Sequence, residues 1–385
     1  MSTDLSKAFD TLSHDLLLEK LQTAGLGSKA VDWIKSYLTD RKQQVKMGST
    51  TSSISTVQAG VPQGSILGPL LFITYTADLA SNLSDCKVTA YADDTQILVT
   101  AKSETELKTK VEKTILEAQH WYAKNSLKLN PTKTELMIFG KKNSQINPMY
   151  FAVQDGSKTE QIKTSPTMKI LGVIIDEKLT WEKHATKVKV QAYRNAVHLA
   201  RTSSVLSLKS RRTLYDALVA PHYNYCDVVW GGMAKKYSQQ IQKSGNFAAR
   251  TMLGQSKRSS ATQALIKLDM MPLSEKRKVH LAVLVHKFLK SEGPKALVED
   301  YAGLINRDHN YHTRAKSRKD LRTITRKTSK FDGSTKQRAI TLWNSIPETL
   351  RGIECTSSFK KKYQCHLLQI FKSDHGLTHT PESAK

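Results

Sequence analysis

The sequence predicts an α+β fold followed by a mostly helical region, and two patterns support this. In the first half, β-prone stretches such as residues 88–90 and 97–99 lie between segments whose apolar residues recur at helical spacing. Beyond His184 the helical spacing continues without such stretches. Helices mixed with an antiparallel sheet are typical of an α+β domain.

The elements can be assigned in chain order. Before residue 80 the pattern predicts helices and one hairpin, at residues 14–24, 29–38, 43–57 and 69–79. Ser103 and Glu106 have the spacing of a capping box, which predicts where the next helix begins. Two strands are expected at residues 135–139 and 168–175. The later region is predicted to contain helices at residues 182–201, 208–218, 235–253 and 275–290.

Charge is distributed unevenly along the chain. Residues 1–184 carry 22 Lys and Arg against 20 Asp and Glu, whereas the remaining residues carry 37 against 14. A strongly basic region is the electrostatic pattern expected of a surface that holds nucleic acid. A solvated loop is the alternative interpretation of its densest basic group. That group, the candidate nucleic-acid-binding residues, consists of Arg314, Lys316, Arg318, Lys319, Arg322, Arg326, Lys327 and Lys330.

Composition argues against several classes of protein. No apolar run approaches the roughly 18 residues of a membrane span, and the first residues do not form a signal peptide. The four cysteines are scattered, which argues against a disulfide framework, and Cys365-His366 lacks the spacing of a zinc site. We therefore expect no membrane partner and an intracellular, non-secreted protein of the nucleus or the cytoplasm.

The most informative residues are Tyr91-Ala92-Asp93-Asp94, two adjacent carboxylates in a predicted turn between β-prone stretches. Two like charges about 4 Å apart repel by roughly 4 kcal/mol at an effective dielectric constant of 20. A cation offsets such repulsion, and carboxylate oxygens suit Mg²⁺. A solvated turn is the alternative interpretation of the pair taken alone.

The pair belongs to an ordered series of motifs. The series comprises Asp4-Leu5-Ser6-Lys7-Ala8-Phe9-Asp10, the segments 60–72, 91–94 and 125–135, and residues 171–176 followed by Leu179, Trp181 and His184. In order and spacing it resembles the palm of a reverse transcriptase. The Ser-Ile-Leu-Gly-Pro segment resembles the non-LTR (LINE-type, jockey-like) retrotransposon branch more than the group II intron branch. The motifs cover about residues 4–184, with a weaker resemblance over much of the rest.

The resemblance implies a catalytic centre. Asp4, Asp93 and Asp94 would bind two Mg²⁺ ions, which activate a primer 3′-hydroxyl and neutralise the leaving pyrophosphate. Asp10 is the rival of Asp4, and otherwise caps or solvates the following helix. Lys133 would protonate or stabilise the pyrophosphate, although an isolated lysine is usually a solvent-facing charge.

The resemblance also implies nucleotide contacts. Phe9 would lie under the incoming sugar, where its ring excludes a 2′-hydroxyl, and Gln63 and Gly64 would contact the nucleotide and the template. Without the resemblance, Phe9 is a buried aromatic residue and residues 62–64 are a turn.

The family resemblance divides the chain into a palm (1–184), a helical thumb-like region (185–300) and a basic C-terminal region (301–385). The implied activity is that of an RNA-directed DNA polymerase, with an RNA template, a DNA primer or target and deoxynucleoside triphosphates as partners. The alternative is a catalytically inactive, nucleic-acid-binding remnant. Only three residues precede Asp4, so we expect a truncated copy without the family's fingers and endonuclease regions. We therefore expect these 385 residues by themselves not to extend a primer.

Overall fold

The computed structural model describes residues 1–140, 148–155, 158–305, 320–324 and 333–376. The chain divides into two compact units, Met1–Gly172 and Val173–Lys385. The predicted mixture of helices and antiparallel strands is confirmed, with the longer strands in the first unit. Among the described helices, none combines the length and the apolar character needed to cross a membrane.

The first unit combines four helices of the described chain with short strands. Its helices are α1 (His14–Thr23), α2 (Ser28–Leu38), α3 (Leu67–Thr76) and α4 (Glu104–Lys124). Its strands are β1 (Ser2–Thr3), β2 (Lys42–Gln43), β3 (Lys46–Met47), β4 (Thr50–Thr51), β5 (Ser55–Thr56), β6 (Cys86–Tyr91), β7 (Asp94–Val99), β8 (Tyr150–Asp155), β9 (Lys158–Lys163) and β10 (Thr167–Ile170).

A three-stranded antiparallel sheet with the order β1-β7-β6 lies at the centre of this unit. β7 pairs with β6 through a tight hairpin and with the two-residue β1 on its other side. The strands β2 to β5 form the predicted hairpin, in which β2 pairs with β5 and β3 with β4. The pairing of β8 with β9 forms a further hairpin, for which the sequence offered no prediction.

The core of the first unit is formed where the apolar faces of the helices meet the sheet. Leu17 of α1, Phe72 of α3 and Tyr122 of α4 are fully buried in one cluster with Ile97 of β7. Tyr75 is also fully buried, and its hydroxyl donates to the carbonyl of Asn125 at 2.7 Å. This bond satisfies a polar group that would otherwise be costly to bury.

The second unit contains one short strand, β11 (Val173–Asp176), and is otherwise helical where it is described. Its helices are α5 (Glu182–Thr202), α6 (Leu208–Leu214), α7 (Ala220–Asn224), α8 (Asp227–Trp230), α9 (Lys235–Met252), α10 (Ala261–Lys267), α11 (Leu273–Leu289), α12 (Lys295–Ala302), α13 (Thr335–Ser345), α14 (Glu348–Arg351) and α15 (Thr356–Ser373). One apolar core surrounds Trp230 and another surrounds Trp343.

Most predicted helices are confirmed to within a few residues. Ser103 caps α4 as expected, because its hydroxyl accepts the Glu106 N–H at 3.2 Å. The Glu106 carboxylate accepts the N–H of Lys102 at 2.8 Å in return. The helix predicted at 208–218 is confirmed, although its regular α-helical part, α6, ends at Leu214 and continues directly into one π-helical turn at Tyr215–Val219.

Two strand predictions were wrong. Residues 135–139 form no continuous strand, because Glu135 bridges to Ser2 in antiparallel fashion while Leu136 bridges to Thr164 in parallel. The segment changes partner after one residue, so no ladder can extend along it. The strand predicted at 168–175 is broken into β10 and β11 because Leu171 and Gly172 have φ values of 44° and 85°.

Gly60 allows the motif at 60–69 to lie against the start of the chain. Its N–H donates to the carbonyl of Leu12 at 2.8 Å, and the next N–H, that of Val61, donates to the carbonyl of Phe9 at 2.8 Å. The φ of Gly60 is +85°, and a Cβ there would lie 2.6 Å from the Cα of Asp10. Only glycine meets both conditions without a backbone shift.

We expect Gly60→Ala to lower the free energy of unfolding by about 3 kcal/mol, because it combines backbone strain with a steric clash. Gly25→Ala is the matched control, since Gly25 has a φ of +92° with nothing near its would-be Cβ. That variant should cost only about 1 to 2 kcal/mol. Urea unfolding followed by circular dichroism measures both, and equal losses would contradict the proposed close approach.

Candidate active site

The two aspartates of the central motif lie at the hairpin between β6 and β7. Tyr91 pairs with Asp94, which leaves Ala92 and Asp93 as a two-residue turn. Ala92 has a φ of 53°, a left-handed conformation that costs an L-residue about 1 to 2 kcal/mol. The half-buried Asp93 thus lies in the turn, and the exposed Asp94 is the first residue of β7.

Strand pairing brings Asp4 beside this turn. Thr3 of β1 pairs with Thr95 of β7, so Asp4 follows β1 at the level where Asp94 begins β7. Thr3 anchors the pairing from beneath the sheet: its buried hydroxyl lies 3.1 Å from the hydroxyl of Tyr122. The two acidic motifs, which are far apart in sequence, therefore lie at the same end of the paired strands β1 and β7.

The electrostatics of Asp94 agree with this arrangement. Its pKa is raised above the ordinary value of a carboxyl group, first by partial burial and then by the negative charges of Asp93 and Asp4. Both causes disfavour the ionised form. A bound cation would reduce the repulsion between Asp94 and the other two carboxylates.

Lys133 is the basic group of this cluster. Its Nζ lies 3.4 Å from Oδ2 of Asp4. That oxygen is buried and accepts no hydrogen bond from the described residues, so the contact is an ion pair without hydrogen-bond geometry. Because the lysine side chain is 65% exposed, solvent screens the attraction and the pair contributes little stability.

A loop positions Lys133, and sequence reasoning overlooked how it does so. Bridges join Ser2 to Glu135 and Leu5 to Leu129, so residues 129–135 run beside residues 2–5. The segment 129–135 contains three more residues than the segment it faces, and these extra residues form a loop opposite Asp4. The N–H of Asn130 donates to the carbonyl of Asp4 at 2.9 Å, which fixes the base of the loop.

The Asn130 side chain shapes this loop as well. Its oxygen accepts from the N–H of Thr132 at 3.2 Å and from the hydroxyl of Thr132 at 2.7 Å. This is an Asx turn, for which Asn-x-Thr is a readable signal. The Asn-x-Thr pattern therefore predicts this turn, which sequence reasoning about Lys133 missed.

The candidate nucleotide contacts form a second group. The half-buried ring of Phe9 packs on Phe72, with centroids 4.6 Å apart. Gln63 and Gly64 are both exposed, and Gln63 Nε2 donates to Oδ1 of Asp10 at 2.8 Å. Of the two alternatives for Asp10, capping the next helix is wrong, because Ser13 caps α1 by accepting the N–H of Leu16, and Asp10 is exposed to solvent.

The predicted basic group falls almost entirely outside the described residues. Arg322 is described: it is exposed, and its N–H donates to the carbonyl of Leu304 at 2.7 Å. The others lie outside the described chain, namely Arg314, Lys316, Arg318, Lys319, Arg326, Lys327 and Lys330.

The donor chemistry of the carboxylate cluster fits a hard divalent cation, since Asp4 presents a buried oxygen that lacks a hydrogen bond. The arrangement of the possible ligands fits such a cation less well. In the parts of the chain that the structure describes, no three His, Cys, Asp or Glu side chains are arranged so that they could hold a metal ion. The carboxylates are thus neighbours without being a preformed metal site.

Comparison with known proteins places this cluster in a family. Residues 1–175 match the family described as "Reverse transcriptase (RNA-dependent DNA polymerase)", and all of the acidic and glycine-rich motifs lie within them. This segment is a reverse transcriptase domain. The resemblance on which the sequence analysis relied is confirmed at this level.

Curated relatives of this chain come from non-LTR retrotransposons. The "Probable RNA-directed DNA polymerase from transposon X-element" of Drosophila melanogaster is 28% identical over 258 residues, which cover 65% of this chain and 28% of the relative. The corresponding protein from transposon BS is 30% identical over 260 residues, with the same two coverages. The "RNA-directed DNA polymerase from mobile element jockey" is 28% identical over 250 residues, which cover 62% of this chain and 26% of the relative.

These matches extend beyond the reverse transcriptase segment, because each is longer than 175 residues. The chain nevertheless spans only about 28% of the length of the first two relatives. Among solved structures, a telomerase from Candida albicans covers 79% of this chain and is matched over 50% of its own, at 14% identity. The TM-score is 0.32, too low to establish a shared fold.

We expect substitution of either neighbouring carboxylate to lower the pKa of Asp94, and Asp93→Asn to lower it more than Asp4→Asn, because Asp93 contributes more to the shift. NMR titration of the side-chain carboxyl carbon measures this directly. Asp32→Asn, on the exposed face of α2, is the control. An unchanged pKa of Asp94 in Asp4→Asn would show that the two motifs do not interact.

The same shift predicts a pH-dependent effect on stability. Folding raises the pKa of Asp94, so the ionised group destabilises the fold at neutral pH and the penalty disappears as the pH falls below its ordinary pKa. Asp94→Asn should therefore raise the melting temperature at pH 7 and have no effect in acid. The gain should stay below about 1 kcal/mol because Asp94 is exposed.

Proposed function

We propose that this chain carries the catalytic centre of an RNA-directed DNA polymerase, with Asp4, Asp93 and Asp94 as its metal-binding carboxylates. The pairing of β1 with β7 is the observation that supports this most strongly. It places an acidic residue from one motif beside a pair from another, inside a segment that matches the reverse transcriptase family. If Asp93 and Asp94 formed only a solvated turn, nothing would require a third carboxylate beside them.

The proposed reaction joins a primer 3′-hydroxyl to the α-phosphate of a deoxynucleoside triphosphate. Two Mg²⁺ ions, when bound, would lower the pKa of the hydroxyl and neutralise the pyrophosphate. Asp4 would contribute the buried oxygen that has no hydrogen bond in this structure. Lys133, on its exposed loop, is near enough to the carboxylates to stabilise a departing anion.

The nucleotide contacts are proposed on the same basis. Phe9 is held by Phe72, so its ring has a fixed position from which to exclude a 2′-hydroxyl. Gln63 and Gly64 are exposed next to Asp10 and are available to a nucleotide or a template strand. The proposed partners are an RNA template, a DNA primer and deoxynucleoside triphosphates, in the nucleus or the cytoplasm.

The family-based division is proposed as well: a palm over 1–184, a thumb-like region over 185–300 and a basic region over 301–385. The first and second compact units divide after Gly172, close to the proposed end of the palm. The helical character of α5 to α11 is in keeping with a thumb.

A second candidate function is a catalytically inactive, nucleic-acid-binding protein. One observation favours it: within the described ranges the carboxylates are not arranged as a three-ligand metal site. The net charge of +25 would then serve binding alone. Metal binding distinguishes the two functions without any need for turnover.

We expect the 385-residue chain to bind Mn²⁺, used as a probe for Mg²⁺, and Asp93→Asn to weaken binding at least ten-fold, about 1.4 kcal/mol. Paramagnetic relaxation or calorimetry measures this, and Asp32→Asn should bind like the unaltered chain. In a form of the protein that extends a primer on RNA, Asp93→Asn should abolish extension while template affinity stays within two-fold, on the order of 0.4 kcal/mol. Template binding without metal binding would support the inactive alternative.

Phe9→Val should raise the ratio of ribonucleotide to deoxynucleotide incorporation by about ten-fold or more, because the ring would no longer meet the 2′-hydroxyl. The ratio is measured in a form of the protein that extends a primer. Phe72→Leu is a second variant, since it loosens the support of Phe9 and should raise the ratio less. An unchanged ratio in Phe9→Val would assign the discrimination to another residue.

A further inference from the structure

A groove lies within the second unit, between α5 and α9. Its volume is about 690 Å³, and both helices contribute to its lining. Alanines allow the two helices to pack closely beneath it: Ala192 and Ala196 of α5 and Ala248 of α9 are fully buried. The groove therefore lies above a closely packed pair of helices.

Positive charge surrounds this groove. Lys189, Arg194 and Arg201 line it from α5, and Lys243 lines it from α9. No carboxylate is among the lining residues. None of the four forms an ion pair with any described residue, so their charges are not neutralised within that part of the chain.

The charge is also extended. Lys189 and Arg201 lie about 18 Å apart along α5, at 1.5 Å per residue. A single phosphate cannot contact charges spread over this length, whereas a chain of phosphates can. The lack of any acidic residue in α9 extends the same field across the groove. The charge pattern fits a linear polyanion.

The floor of the groove is apolar and partly aromatic. Val190, Tyr193 and Val197 recur at helical spacing along the same face of α5. Tyr193 is 44% exposed and Val190 is 43% exposed, although both lie in a groove. Phe247 of α9 supports the tyrosine ring, with centroids 5.0 Å apart. A supported, half-exposed ring is a surface on which a flat group can stack.

We propose that this groove binds single-stranded nucleic acid, with Lys189, Arg194, Arg201 and Lys243 at the phosphates and a base stacked on Tyr193. A duplex hides the faces of its bases, so it would use the cations and leave the apolar floor unmatched. A single strand matches both. The inference depends on the proposed function only for the choice of RNA as the probe, and it assigns no catalytic role to the groove.

The experiment measures binding of the full chain to a fluorescent RNA of about ten nucleotides, as a single strand and as a duplex of the same sequence. Neither metal nor nucleotide is added, so failure of catalysis cannot affect the result. Tyr193→Ala should weaken single-strand binding by about ten-fold or more and duplex binding much less, since stacking on an aromatic ring is lost. Tyr193→Phe keeps the ring and should bind normally, which controls for loss of packing on Phe247.

The cations are tested by salt dependence. Arg194→Gln and Lys243→Gln should each reduce the slope of log affinity against log salt concentration by about 0.7 for the single strand. Lys278→Gln and Lys295→Gln, exposed residues that pair with Glu275 and Glu299, are the controls and should leave the slope unchanged. Unchanged slopes in the groove variants would overturn the proposal.

Two further results would also overturn it. Equal losses for single strand and duplex in Tyr193→Ala would show that no base stacks there. Displacement of the RNA by polyglutamate as effectively as by unlabelled RNA would show that the groove accepts any extended acidic chain.

Discussion

The pairing of the two-residue strand β1 with β7 determines which acidic residues lie together in this protein. Thr3 opposite Thr95 sets the register, and the buried contact of Thr3 with Tyr122 holds it against the long helix α4. A slip of one residue would turn Thr3 out of the core and Asp4 into it, because side chains alternate between the faces of a strand. Burial of Thr3 therefore excludes the register that would separate the carboxylates.

The same pairing concentrates negative charge in one place. Folding partly buries Asp94 and brings it close to two groups that repel it, and both effects raise its pKa. Lys133 offsets part of this repulsion from a flexible, solvent-exposed side chain. Carboxylates that the protein itself neutralises only in part retain an affinity for a cation, as the proposed metal-binding role requires.

The sequence predicted the helices well because their apolar spacing and caps are local properties, as at Ser103. It also indicated which acidic residues belong together, through the order of the motifs. It could not reveal the partners of Glu135 and Leu136, which depend on segments far away in the chain. The groove between α5 and α9 was overlooked because its charges come from two helices whose packing no single stretch of sequence encodes.

The loop that carries Lys133 has a consequence for how this region can vary. Three surplus residues between two fixed bridges create the bend opposite Asp4, and the Asn130 backbone fixes its start. The number of residues in the loop, and not only their identity, thus determines where the ammonium group lies. A deletion there would draw the segment flat against β1 and carry the lysine away from the carboxylate. Substitutions that keep the length and the Asx turn should be tolerated far better than any change in length.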